Sequence, residues 1–87
     1  MKSFDDLWEE LSVKISNEET ESHSALLAKS GPHEIGKKIV EEAAEVWMAA
    51  EHENSEALSL EISQLIYHLQ VMAIVKGLSK EDIYKKL

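Results

Sequence analysis

Apolar residues recur along this chain at three- and four-residue intervals, and no segment alternates apolar with polar for the length of a strand. The pattern predicts helices throughout. "SFDDLWEELSVKIS" opens with Ser3 as an N-cap, carries acid in its first turn, and places Phe4, Leu7, Trp8, Leu11 and Ile15 on one side. "NEETESH" reads as a connection, and "SALLAKSGP" as a short apolar turn or helix ended at Ser30-Gly31-Pro32. A long helix follows from about Pro32 to about Glu53, with proline at a favourable first position and "HENSE" as its turn. Another runs from about Ser55 to Lys76, with Gly77 as its left-handed stop. "SKEDIYKKL" completes the set, Ser79 and Asp82 forming a variant capping box. The expected architecture is an all-α bundle of four to five helices.

The two long helices differ in character. On the first, Ile35, Ile39, Ala43, Val46 and Ala50 form the expected stripe, with Glu42 at its edge and Glu45 and Glu41 further round. On the second, Leu58, Ile62, Leu65, Leu69, Met72 and Ala73 form a broad stripe, while Leu60, Val71, Ile74 and Val75 carry apolar surface to other sides. A helix apolar nearly all round wants burial on most sides. A chain of 87 residues has few helices to provide it, and so small a core is marginal alone. A homodimer with this helix near the interface is therefore expected.

Composition narrows the function. There are 17 acidic residues against nine lysines, no arginine, and a formal charge of −8. That balance argues against nucleic acid as a partner. The chain has no cysteine, so disulfides and thiolate metal sites are ruled out. The acidic start "MKSFDDLWEE" is unlike a signal peptide, and the apolar run Leu65–Val75 is short for a membrane span. A single domain over residues 1–87, in the cytoplasm and without a membrane partner, is the expectation.

The carboxylates carry the chemistry. Taken alone, "EEAAE" is an ordinary solvated face, with Lys37 and Lys38 able to pair with Glu41 and Glu42. Glu42 and Glu45 are an i,i+3 pair, however, and on the next helix Glu61, Gln64 and His68 share a strip bounded by apolar residues. Two helices joined by a short turn lie antiparallel, so Glu42, Glu45 and Glu61 can converge across one groove. An unpaired carboxylate buried there is costly, and an all-oxygen set suits Mg²⁺ or Mn²⁺. A carboxylate-bridged di-iron site fits less well, since neither Glu45 nor Glu61 has a histidine three residues on. His68 is either a hydrogen-bonded core or interface histidine or a substrate contact.

With those residues in view, the chain resembles a known group. Glu41-Glu42-x-x-Glu45 followed by Glu61-x-x-Gln64 is similar to the acidic motifs of the all-α nucleotide pyrophosphohydrolases, the MazG-like superfamily. "GPHEIGKKIVEEAAEVWMAA", "EISQLIYHLQVMAIVKGLSKEDIYKKL" and "SHSALLAKSG" look, in order and spacing, like the phosphoribosyl-ATP pyrophosphatases of histidine biosynthesis. The resemblance implies a dimer with active sites between chains, and Mg²⁺-dependent hydrolysis of phosphoribosyl-ATP to phosphoribosyl-AMP and pyrophosphate. It places Glu42, Glu45 and Glu61 at metal-ligand positions and Lys37 and Lys38 as phosphate contacts. Glu41 then binds metal or orients the attacking water, and Glu41 or Glu45 serves as general base. Gln64 stands where the family usually has aspartate; its amide oxygen can bind a cation but brings no charge. The alternatives are a housekeeping MazG-like enzyme acting on other nucleoside triphosphates, and a non-catalytic helical interaction module.

Overall fold

The computed structural model describes residues 1–87, which form five helices and no strand. They are α1 (Phe4–Ser16), α2 (His23–Ser30), α3 (Pro32–His52), α4 (Ser55–Val75) and α5 (Lys80–Tyr84). Each boundary has a local cause. Ser3 and Ser79 both close capping boxes, with Asp6 and Asp82 returning the bond to the cap backbone. Ser22 caps α2, and Asn54 caps α4 by accepting from the Ala57 N–H at 2.9 Å. Such caps each contribute about 1 kcal/mol. Gly31, at φ +92°, turns the chain out of α2 so that Pro32 can open α3. Gly77, at φ +77°, follows the end of α4 as the sequence suggests.

Only Glu53 and Asn54 separate α3 from α4, so the two 21-residue helices form an antiparallel hairpin that dominates the packing. Helices α1 and α2 cover one side of it, and Leu11, Ile35 and Val71 form the buried centre. Helix α5 is tied back to α1. The Tyr84 hydroxyl donates to Asp5 at 2.7 Å, Lys80 pairs with Asp5 at 3.5 Å, and the Tyr84 ring lies against Phe4.

The covered line on α3 is not the expected one. Ala43 and Ala50 are exposed, and beside Gly36 the least exposed positions are Ile35, Ile39, Glu42, Val46 and Ala49. Those spacings alternate four and three, a period of about 3.5, which keeps a seam facing a neighbouring helix over several turns. Counting apolar residues at four-residue steps drifts off that seam and passes over Glu42, which lies within it. On α4 the matching line is Leu58, Glu61, Leu65, His68, Met72 and Val75. Ile62 and Leu69, expected in the stripe, are 42% and 48% exposed, and Val71, expected off it, is fully buried. Val71 faces the central cluster with Leu11, so α4 is covered from two directions and bare on a third.

By length and composition α4 is also the one helix long and apolar enough to cross a membrane. Glu61 and His68 on its covered side reflect a different use of that helix.

Candidate metal centre

Glu42 and Glu45 extend from one side of α3, and Glu61 meets them from α4. One carboxylate oxygen of each lies within 4.8 Å of the other two. Glu45 stands at the exposed rim, whereas Glu42 and Glu61 are half-buried. The Oε2 atoms of Glu42 and Glu61 are shut off from solvent and have no hydrogen-bond partner. Buried acceptors without donors are costly, and three carboxylates at this separation repel one another. The Glu61 carboxyl is held above the ordinary glutamate range, first by a hydrogen bond shared with Glu45 and then by burial and by the charges of Glu45, Glu42 and Glu53. A proton held between Glu61 and Glu45 is thus one way to relieve the site, and a cation is the other.

The donor set fits a hard divalent ion. It consists of carboxylate oxygens from two rigid helices, two of them aimed inward without partners. Neither thiolate nor imidazole belongs to the cluster. What the three carboxylates can do chemically is gather positive charge at one edge of the hairpin, within reach of solvent on the Glu45 side.

The remaining sequence candidates fall into two groups. Glu41, Lys37 and Lys38 lie exposed on α3, outside this cluster. Lys38 pairs with Glu41 at 3.4 Å and Lys37 with Glu34 at 3.5 Å, both i,i+3 rather than the expected i,i+4 pairings with Glu41 and Glu42. Exposed pairs of this kind contribute at most about 1 kcal/mol and leave both lysines free to move. Gln64 and His68 follow Glu61 by successive turns along α4. They line a cavity of about 440 Å³ with Leu7, His23, Ser63 and Tyr67. His68 is buried, and its Nδ1–H donates to the Gln64 carbonyl at 2.8 Å, which leaves Nε2 as an acceptor in the neutral ring.

Two participants escape a reading of the sequence. Glu53 acts on Glu61 from the end of α3, a placement that only the tight hairpin reveals. His23 and Tyr67 join the cavity from helices whose docking angle no spacing rule fixes.

Comparison with known proteins bears on this arrangement. Residues 4–87 match the family model described as phosphoribosyl-ATP pyrophosphohydrolase. Proteins named phosphoribosyl-ATP pyrophosphatase from Streptomyces avermitilis and Streptomyces coelicolor are each 52% identical over 87 residues, covering 99% of this chain and 97% of theirs. One of the same name from Salinibacter ruber is 48% identical over the whole of both chains. The matched span takes in all five helices, and the chain belongs to the phosphoribosyl-ATP pyrophosphohydrolase family.

Proposed function

We infer that this chain hydrolyses phosphoribosyl-ATP to phosphoribosyl-AMP and pyrophosphate, the second step of L-histidine biosynthesis, and that Glu42, Glu45 and Glu61 hold the Mg²⁺ that assists it. The observation that carries the metal assignment is the meeting of three carboxylate oxygens within 4.8 Å, two of the residues keeping an orphaned buried oxygen. Mn²⁺ suits the same oxygens. Held by these residues, a divalent ion would supply charge to offset the triphosphate and would make water easier to deprotonate. Glu45, at the solvent edge of the cluster, takes the proton of the attacking water. Glu41 is the second candidate for that role, once Lys38 leaves it for a substrate phosphate. Lys37 and Lys38 give the two mobile cations for the phosphate chain, and Gln64 offers a neutral oxygen one turn beyond Glu61. His68 contacts substrate from the adjoining cavity.

Residues 1–87 act as one catalytic domain, and we propose a homodimer, since Ile62, Ile66 and Leu69 leave an apolar strip along α4 uncovered in one chain. The enzyme works in the cytoplasm, where its phosphorylated substrate is retained by the membrane, without nucleic acid or lipid as a partner.

Pyrophosphate release tests the assignment. Phosphoribosyl-ATP should be turned over with Mg²⁺ or Mn²⁺, with ATP, dCTP and dUTP far slower and EDTA stopping the reaction. A preference for dCTP or dUTP would make this a housekeeping triphosphate hydrolase instead, and no turnover of any of them would leave only an interaction module.

A further inference from the structure

The cavity beside the carboxylates has a wall that core packing alone does not require. Tyr67 is fixed at its tip, where its hydroxyl lies 2.7 Å from Oγ of buried Ser24. His68 meets it edge-on, with ring centroids 5.0 Å apart at 88°, and is itself fixed by its bond to the Gln64 carbonyl. On the other side the His23 ring lies within 19° of parallel to Tyr67, at 6.4 Å between centroids. His23 is the first residue of α2 and is exposed, so no core demand places it there. The six lining residues include no carboxylate and no lysine. They suit a neutral, flat group better than a phosphate.

Position adds to chemistry. Gln64 and His68 lie on the same side of α4 as Glu61, about 4.5 and 10 Å further along the helix axis. The cavity therefore begins where the carboxylates end, at the reach from the phosphate of a nucleotide across its ribose to its base. Its volume of about 440 Å³ lies within the usual span for small-molecule sites.

We propose that this cavity is the purine subsite, in which the exposed ring of His23, backed by Tyr67, supplies the stacking face for the base. The proposal rests on reading the chain as a phosphoribosyl-ATP hydrolase. Aromatic faces hold bases through dispersion and π contact, and truncating one such face weakens binding markedly. His23 then sets affinity for substrate and leaves the reacting phosphorus untouched.

The test uses the full chain with Mg²⁺, AMP and ribose 5-phosphate, reading the ring resonances of His23 and Tyr67 by NMR alongside AMP affinity. AMP should shift both rings while ribose 5-phosphate does not. His23→Ala should weaken AMP about tenfold and raise KM for phosphoribosyl-ATP by a similar factor, with kcat nearly unchanged. His23→Phe should restore most of the loss, because it returns the ring. Unshifted rings, or AMP bound as tightly by His23→Ala as by the native chain, would overturn the subsite even if hydrolysis is intact. If AMP binds as described but phosphoribosyl-ATP is not hydrolysed, the subsite stands and the assigned activity falls.

Discussion

At Glu42 the proposed metal role runs directly against stability. The residue occupies a seam position where a leucine would pack, and one of its oxygens is buried without a partner. Replacing it with glutamine removes a charge from a crowded acidic group. Glu42→Gln should therefore raise stability without metal by about 1 kcal/mol in urea denaturation, while lowering Mg²⁺-dependent turnover by at least about a hundredfold. Equal turnover in the variant would remove Glu42 from the site.

Protonation gives a second test at the same scale. The folded Glu61 carboxyl lies above its unfolded value, so its contribution to stability is complete below the ordinary glutamate range and lost as pH rises through the raised value. Asp5 behaves oppositely. The Tyr84 hydroxyl and Lys80 hold it low, so its contribution is present at neutral pH and lost as pH falls through the lowered value. Without metal, thermal stability should peak in weak acid, and Mg²⁺ should raise the melting temperature more at pH 7.5 than at pH 5. A Mg²⁺ effect independent of pH would argue against Glu61 as a ligand.

Among the helical elements, boundaries were the most legible part of the sequence. Ser3, Ser79, Gly31-Pro32 and Gly77 act through local chemistry, and the helices begin and end where those residues require. Faces were less legible. Apolar counting placed Ala43 and Ala50 inside and Glu42 at the edge, because a seam of period 3.5 between long helices is set by the neighbour and not by the helix alone. The three carboxylates could be brought together from spacing and an antiparallel hairpin. The His23–Tyr67 wall could not, since it depends on how α2 docks. The hairpin also contains Gly36, in the second turn of α3, where an added Cβ would meet only the Met72 Cε, at 3.9 Å. That is ordinary contact, so Gly36→Ala should stabilise the chain by about 0.5–1 kcal/mol through helix propensity. Chemical denaturation checks it, and a loss of stability would mean α3 and α4 are closer than 3.9 Å implies.

For the whole molecule, burial is the limiting quantity. Only ten of 87 residues are buried in one chain, while Trp47, Leu60 and Leu69 are each about half exposed or more. A second copy laid along α4 would enlarge that core, and light scattering at micromolar concentration should give twice the chain mass. Leu69→Glu on the bare strip should shift the mass toward one chain and lower the melting temperature. A monomeric native chain would leave the exposed strip without its proposed cover.

The hairpin connection, only Glu53 and Asn54 long, sets the phase of one long helix against the other. Adding one helical residue at the start of α4 would turn the rest of that helix by about 100° about its own axis. Glu61 would swing away from Glu42 and Glu45, and a leucine neighbour would replace it in the groove. Seven added residues, continuing the helix for two turns, would bring the same face round again. Length variation in this family should therefore be strongly filtered at that joint, and tolerated at the α1–α2 connection, which orients none of the three carboxylates.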